Sequence, residues 1–353
     1  MSPEPGDLRR YRRLLPWAVA FSVLSLALVL ATFGLRDDDA LHDAVARLDW
    51  RVLPAALTLH VAAHLFWSAR YALVARGLGT PMAGPGAWAI VTAGVFGGAV
   101  TPGRIGGEGL KMALLMRRGT SAAQAGRILL TDRSMDLVFF MALGLSAAAL
   151  LPPLFGADGA AARGFALLGS GFLALFLVLL VLLLTRPAPT GRLVQRTVGG
   201  LARLVRRGTP DLAGRTQRFL DQVREGILGI GRRPGIVGAA LALTALNWLA
   251  EYGTLWALLR GFGHAVPFWA VFFVGIVLTL VVNIPLTPGG SGVAEVAALA
   301  LLTPLAPGLS PLFVVAWRST TYYYDLAVGG TVASAMLPRR AAHLREDLPQ
   351  TVK

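Results

Sequence analysis

Two stretches, one in each half of the chain, interrupt apolar sequence with the same helix-breaking pattern. They read TPGRIGGEGLK at 101–111 and TPGGSGVAE at 287–295. Proline removes a backbone donor and glycine weakens helical pairing, so neither stretch can lie within an unbroken membrane-spanning helix. Two such breaks, one per half, predict a buried polar site. The predicted breaks are Thr101, Pro102 and Gly103 in the first stretch, and Thr287, Pro288, Gly289 and Gly290 in the second.

The composition indicates a polytopic membrane protein. Of 353 residues, 55% are hydrophobic and 15% are charged, with a mean hydropathy of +0.62, values outside the soluble globular class. Cysteine is absent, which excludes disulfides and thiolate sites. The net charge of +14 comes from arginines between apolar segments, a pattern that indicates contact with anionic lipid rather than with nucleic acid.

The apolar segments predict about six full spans. Each is close to the roughly 20 residues needed to cross the bilayer, and they lie at 16–35, 52–73, 128–151, 165–184, 236–259 and 312–337. The basic sequence LRRYRR before the first span predicts a cytoplasmic N-terminus. The last span returns the C-terminus to the same side, in a bacterial-type plasma membrane.

Shorter apolar segments flank each break. Those at 86–100 and 109–116 predict a re-entrant hairpin that enters from the cytoplasm, and those at 267–286 and 293–302 predict one that enters from the other face. We therefore expect an all-α polytopic membrane protein, a single transmembrane domain over 1–353, built as an inverted repeat with two broken re-entrant helical hairpins.

The two predicted repeats cover about 16–151 and 165–337, and the second includes a basic connector at 186–233. This connector holds eleven arginines against three acidic residues, so we expect it to be cytoplasmic. Its apolar pattern fits either amphipathic helices on the inner leaflet or a solvated link between spans.

Ionisable residues at membrane depth cost several kcal/mol unless they are paired or hydrated, so they are candidate functional residues. They lie beside the breaks or on the spans that follow. The predicted substrate-binding residues are Arg104, Glu108, Lys111, Arg133, Asp136, Glu251, Asn283, Glu295, Arg318 and Asp325.

The glutamates and arginines have two interpretations each. Glu108 and Glu295 begin half-helices, where they could cap backbone N–H groups or handle substrate and protons. Arg133 and Arg318 could neutralise these glutamates as buried pairs, or bind an anionic head group.

Several neighbouring residues have simpler expected roles. Arg104 and Lys111 are expected to reach the membrane surface by extending their side chains, and Asp136 and Asp325 are expected to orient the two arginines. Asn283, Thr101 and Thr287 can satisfy carbonyl groups freed by the breaks. The tyrosine run Tyr322, Tyr323 and Tyr324 fits either packing or the lining of a lipid or sugar site.

A metal site and a catalytic site are not expected. His60 and His64 share one helical face, but the sequence places no third ligand near them. No Walker A, H-E-x-x-H or G-x-S-x-G motif occurs. We therefore expect no metal, no cofactor and no enzyme activity.

Three blocks resemble one known family. GGAVTPGRIGGEGLKMALL, RILLTDRSMDL and VVNIPLTPGGSGVAEVAALALL are similar to the signature blocks of the lysylphosphatidylglycerol synthase transmembrane-domain family, the flippase-like integral membrane proteins. The resemblance covers about 15–338. Ser291 departs from it, since an apolar residue is expected there. The matching residues are Pro102, Arg104, Glu108, Lys111, Arg133 and Asp136 in the first two blocks, and Asn283, Pro285, Pro288, Gly289, Gly290, Gly292 and Glu295 in the third.

The resemblance implies a lipid-translocating unit. Similar units flip aminoacylated phospholipids beside a fused transferase domain, and we expect this chain to lack that domain, since about fifteen residues follow its last predicted span. Stand-alone relatives are associated with hopanoid or polyprenyl-phosphate sugar pathways, so the implied cargo is a phospholipid, a polyprenyl lipid or another lipid with a polar head group. Two alternatives remain: a membrane transferase with Glu108 or Asp136 as general base, and a scaffold for a separately encoded lipid-modifying enzyme.

Overall fold

The computed structural model describes residues 48–150, 228–284 and 287–336 continuously, with Ala46 and scattered positions between 171 and 226. Several predictions fall outside the described residues. These are the first span at 16–35, most of the span at 165–184 and of the connector at 186–233, the matched Pro285, and both termini.

The described residues are helical and form no strand. The helices are α1 (Val52–Gly77), α2 (Gly84–Ala99), α3 (Ile105–Arg117), α4 (Ala122–Leu150), α5 (Pro234–Gly261), α6 (Phe268–Val282), α7 (Val293–Leu302), α8 (Leu312–Arg318) and α9 (Tyr324–Met336), with a five-residue π-helix at Ser319–Tyr323 between the last two.

Helices α1 and α5 make the most extensive helix–helix contact in the described part of the chain. Within it, these two helices are long and apolar enough to cross a membrane by length and composition, while α6 and α7 are apolar but shorter. α1 and α5 match the spans predicted at 52–73 and 236–259. They extend beyond those bounds by a few residues at their ends.

Both predicted breaks interrupt helices. The first separates α2 from α3, and the second separates α6 from α7. α2 and α3 pack with their backbones touching, since a Cβ on Gly107 would lie 2.6 Å from the Gly94 carbonyl oxygen. This contact explains the glycine pair after the first break, where a larger residue would separate the helices.

The two breaks contact each other through their backbones. Pro102 and Pro288 form an isolated antiparallel bridge, and the Gly289 N–H donates to the Thr101 carbonyl at 3.3 Å. The Tyr322 hydroxyl donates to the Ala99 carbonyl at 3.1 Å. Backbone groups freed by one break are thus partly satisfied by the other half of the chain.

The last predicted span is not a uniform α-helix. The π-helical residues Ser319–Tyr323 interrupt it directly after Arg318, and the hydroxyls of Thr320 and Thr321 donate to the carbonyls one turn earlier at 2.8 Å. Single π-helical turns inside α-helices are frequent at functional sites. This one lies between two of the predicted site residues, Arg318 and Asp325.

Two large apolar clusters hold most of the described helices together. One joins α5, α6, α7 and α8 around residues such as Leu258 and Phe313, and the other joins α1, α2, α3, α4 and α9 around residues such as Tyr71 and Leu110. Because α9 follows α8 in the chain but packs on α2, it ties the C-terminal part of the chain to the first break. Polar residues collect between the two clusters.

A candidate polar site between the breaks

A cavity of about 160 Å³ lies where α1, α4, α5, α9 and the two breaks meet. That volume holds several waters or a small polar group. Its charged and titratable lining residues come from separate parts of the chain: His60, His64, Arg70, Arg104, Arg133, Asp136, Glu251, Arg318 and Asp325.

The predicted substrate-binding residues fall into two sets. Those that line the cavity are Arg104, Arg133, Asp136, Glu251, Asn283, Arg318 and Asp325. Glu108, Lys111 and Glu295 do not belong to this lining and contact lining arginines or each other instead. The structure therefore brings the ten residues together, with three of them one layer behind the cavity surface.

Arg104 lies at the first break, immediately before α3. Its backbone is left-handed, with φ 57° and ψ 15°, a conformation that costs a non-glycine residue roughly 1–2 kcal/mol. Its side chain lines the cavity and forms no hydrogen bond or ion pair with any residue that the structure describes. The expectation that Arg104 extends to the membrane surface is therefore wrong, because the break turns its side chain into the cavity.

Glu108 forms ion pairs with two cationic side chains. Its Oε1 accepts from Arg133 Nε at 2.7 Å and lies 2.9 Å from Lys111 Nζ. The ammonium is within ion-pair distance but is not aligned for a hydrogen bond, and it sits over the Trp67 and Tyr71 rings. Lys111 is 1% exposed, so its expected extension to the membrane surface is also wrong.

Glu108 does not cap α3 in the described structure. Thr101 takes that role, since its hydroxyl accepts from the Gly106 N–H at 2.9 Å and donates to the Gly97 carbonyl at 2.8 Å. The predicted role of Thr101 at the break is confirmed. The second carboxylate oxygen of Glu108, Oε2, is buried and has no hydrogen-bond partner among the described residues.

Glu295 and Arg318 form the corresponding pair at the second break. Glu295 Oε1 lies 3.0 Å from Arg318 Nε, and Oε2 accepts from the Gly292 N–H at 2.6 Å. The predicted cap at α7 is therefore present. Arg318 also donates to the Ser291 hydroxyl at 3.0 Å and lies over the Tyr322 ring at 3.9 Å. Ser291, the departure from the family pattern, thus supports Arg318.

Arg70 on α1 is a buried centre that the sequence analysis missed. It is 0% exposed, and its guanidinium donates to Asp132 at 2.8 Å, to Asp136 at 2.6 Å and to Thr244 at 2.9 Å. Trp67 and Trp248 donate to the same two carboxylates, each at 3.0 Å. Asp136 also lies 3.4 Å from Arg133, so its predicted contact with that arginine is confirmed but is secondary to Arg70.

Asp325 contacts histidines instead of Arg318, which corrects its expected role. His60 Nε2 and His64 Nε2 lie 3.1 and 3.2 Å from Asp325 Oδ1, and His60 Nδ1 lies 2.9 Å from Glu251 Oε2. The expectation that no third ligand lies near the histidine pair is therefore wrong. In the sequence, the only indication of this third ligand was Asp325 itself, an acidic residue within the last predicted span and far from both histidines.

Two remaining polar residues differ in their outcome. Asn283 donates to the Thr279 carbonyl at 2.7 Å at the end of α6, as expected for a residue that satisfies backbone at a break. Thr287 does not, since its buried hydroxyl has no hydrogen-bond partner in the described part of the chain. Tyr322 lines the cavity and also packs in an apolar cluster; the packing alternative for the tyrosine run is confirmed for this residue, and the lipid or sugar site stays a prediction.

Long apolar helices around a buried ionisable cavity define the class of an α-helical membrane protein. The family described as the lysylphosphatidylglycerol synthase TM region matches residues 17–329. The chain belongs to that family.

Curated relatives cover nearly the whole chain. A UPF0104 membrane protein from Archaeoglobus fulgidus is 23% identical over 312 residues, which span 87% of this chain and 93% of the relative. Another from Methanothermobacter thermautotrophicus is 26% identical over 323 residues, covering 89% and 92%. One from Pyrococcus horikoshii is 22% identical over 336 residues, covering 87% and 94%. All three names describe membrane proteins.

Proposed function

We propose that this protein moves a lipid with a phosphate-bearing polar head group between the leaflets of a bacterial-type plasma membrane. The carrying observation is Arg104, a cation that lines the cavity and has no ion-pair partner among the described residues. Arg104 is half-buried, and an arginine without an ion-pair partner costs free energy to the extent that it is shielded from water. A phosphate group, which arginine binds in a bidentate manner, removes that cost.

The surrounding charges support an anionic ligand rather than a bulk aqueous channel. Arg133 and Arg318 also line the cavity, and each is held by a glutamate behind it. Their positions are therefore fixed before a head group arrives, which reduces the ordering cost of binding. Acyl or prenyl chains would remain in the surrounding bilayer.

Glu108 and Glu295 differ in a way that bears on the rest of the head group. Both oxygens of Glu295 are used, by Arg318 and the Gly292 N–H. Glu108 keeps one buried oxygen without a hydrogen-bond partner in the described structure. We infer that Glu295 is structural and that Glu108, one layer behind the cavity surface, can accept from an amine or hydroxyl of a zwitterionic or polyol head group once its side chain turns toward the cavity.

The inverted repeat is part of the proposal. Each half supplies a helix, a break and a second helix, and each break is followed by a Glu–Arg pair, Glu108 with Arg133 and Glu295 with Arg318. The antiparallel contact between Pro102 and Pro288 supports a twofold relation of the breaks. In transporters built this way, the substrate binds where the repeats meet and the halves alternate access.

Ion pairing of the candidate bases favours translocation over a transferase reaction. Asp136 accepts two hydrogen bonds from Arg70 and Glu108 faces two cations. Carboxylates held this way by cations are poor proton acceptors.

The test is movement of labelled lipid in proteoliposomes. Tag-free protein is reconstituted with fluorescent phosphatidylglycerol, phosphatidylethanolamine or polyprenyl phosphate, and an impermeant quencher reports the label that reaches the outer leaflet. Wild-type protein should expose inner-leaflet label of at least one of these lipids, while mass spectrometry finds every lipid mass unchanged. Movement no faster than in protein-free vesicles for all three lipids, or a change of lipid mass, contradicts the proposal.

Arg104→Gly is the decisive variant. Glycine accepts a positive φ without strain, so this change removes the guanidinium while keeping or raising stability. We expect lipid movement to fall to the protein-free rate while the unfolding midpoint equals or exceeds that of the wild-type protein. Arg76→Gly, at an exposed position in the last turn of α1, is the control and should retain movement.

A further inference from the structure

The geometry points to a binding site for a divalent transition-metal ion of the zinc class at His60, His64 and Asp325. The two histidines stand one helical turn apart on α1, and Asp325 comes from the first turn of α9. Their ligand atoms, two ring nitrogens and one carboxylate oxygen, all lie within 4.8 Å of one another. Two imidazoles and a carboxylate are a ligand set that zinc uses with a fourth position open.

Hydrogen bonding sets the tautomer of His60. Its Nδ1 lies 2.9 Å from Glu251 Oε2, and a carboxylate can only accept, so this nitrogen carries a proton. In the neutral ring, Nε2 then presents a lone pair to Asp325 Oδ1 at 3.1 Å. Two electron-pair donors at that separation repel each other unless a proton or a metal ion lies between them.

His64 adds a third donor at the same point. Its Nε2 lies 3.2 Å from the same oxygen of Asp325. Ligands around a tetrahedral zinc with bonds of about 2.0–2.1 Å are separated by about 3.3 Å, close to the two distances observed. Small side-chain movements would therefore bring the three atoms onto one ion.

The supporting shell is also present. A metal-bound histidine almost always donates its other ring nitrogen to a carboxylate or carbonyl, which fixes its orientation. Glu251, on α5, takes that position for His60. His60 and His64 are 2% and 7% exposed, and the rings of Tyr324 and Trp67 pack edge-on against them and limit their movement.

The open coordination position would face the cavity. All three ligands line it together with Arg104 and Arg318. A metal ion there could bind water or a phosphate oxygen and add a divalent charge to the arginines. Metal binding itself requires no lipid movement, so the site and the proposed function can fail separately.

Cobalt is the probe for this site. Protein purified through a histidine-free affinity tag is titrated with Co²⁺ in detergent, and the visible absorption of the bound ion is recorded. We expect one Co²⁺ per chain, with the intensity typical of four or five ligands, and displacement by Zn²⁺. Absence of a stoichiometric visible band in the folded wild-type protein overturns the proposal and leaves a shared proton between these groups.

Three variants and one control localise the ion. Asp325→Asn keeps the side-chain volume and should abolish the band, as should His64→Ala. Glu251→Gln should weaken binding by about 10- to 100-fold, the usual effect of losing an outer carboxylate. His264→Ala changes a loop histidine outside the cavity lining and should bind like wild type. Cobalt binding that survives both Asp325→Asn and His64→Ala overturns the assignment.

Discussion

Arg104 has a left-handed backbone conformation that is unfavourable for arginine, which indicates that its side chain is needed at this position. A left-handed arginine persists only where the surrounding structure enforces it, because glycine would occupy the position at lower cost. The chain has glycine directly before it, at Gly103 with φ 60°, yet keeps arginine at the next position. The arginine side chain is thus present although its backbone is strained, a combination that is typical of binding sites.

Substitution of Arg70 gives a second prediction at the residue scale, about the stability of the protein. Arg70→Met leaves Asp132 and Asp136 buried without their main cation. Breaking a buried pair by removing one partner costs roughly 3–5 kcal/mol. We therefore expect the free energy of unfolding to fall by about that amount, measured by tryptophan fluorescence during denaturation with sodium dodecyl sulfate.

The control for Arg70 lies on the same helix. Arg76→Met alters an exposed arginine of α1 and should change the free energy of unfolding by less than about 0.5 kcal/mol. Equal effects of the two substitutions would show that the Arg70 network contributes nothing specific to stability.

At the scale of elements, sequence pattern located the helices well. The bounds of α7 agree with prediction at both ends, and α2 agrees within two residues. α4 starts six residues earlier than predicted, since its polar first turns carry no apolar signal. The π-helical turn at Ser319–Tyr323 was not predictable, because no residue in it differs from those of an ordinary helix.

The site could be predicted only in part for a related reason. Local features such as TPG and a following glutamate are visible along the chain. Partners that are distant in sequence are not: His60 and Asp325 are 265 residues apart, and Arg70 is 62 residues from Asp132. Arg70 also lies within the apolar segment 52–73, whose length already predicts a membrane span, so the arginine gave no separate indication of a site. Only tertiary packing shows which buried charges face each other.

The contact between the breaks carries a prediction for the second one. Gly289 has φ 57°, and a Cβ there would lie 2.6 Å from the Ala99 carbonyl oxygen. Gly289→Ala should therefore separate the breaks and slow lipid movement, in addition to the cost of left-handed alanine. Fluorescence quenching in proteoliposomes measures the change in lipid movement, and the free energy of unfolding measures the stability cost.

A second glycine isolates the contact from the backbone strain. Gly308 has φ 76°, and a Cβ there would have no described atom within 4 Å. Gly308→Ala should cost only the left-handed strain of roughly 1–2 kcal/mol and keep lipid movement. If both variants behave alike, contact between the breaks is not required.

At the scale of the whole molecule, the proposed inverted repeat predicts sidedness. The end of α3 should face the cytoplasm and the end of α7 the opposite side. The chain has no cysteine, so Arg118→Cys and Thr303→Cys, both exposed positions, each introduce a single reporter. Impermeant maleimide should label Thr303→Cys in intact cells and Arg118→Cys only after permeabilisation.

Labelling of both reporters from one side would contradict the inverted arrangement while leaving the helices and cavity as described. A double variant that carries both cysteines should give half-maximal labelling in intact cells. This measurement needs neither a lipid assay nor a metal, so it tests the architecture by itself.

The hydrogen bond from Tyr322 to Ala99 joins groups 223 residues apart. During synthesis the N-terminal helices are made long before the π-helical residues Ser319–Tyr323 exist, so the carbonyl groups at the first break initially lack these partners. Until then they need water or an insertion factor, since hydrocarbon cannot satisfy them. A ribosome-bound intermediate that ends before residue 319 should therefore retain a hydrated, protease-sensitive first half that becomes protected once the C-terminal helices are added.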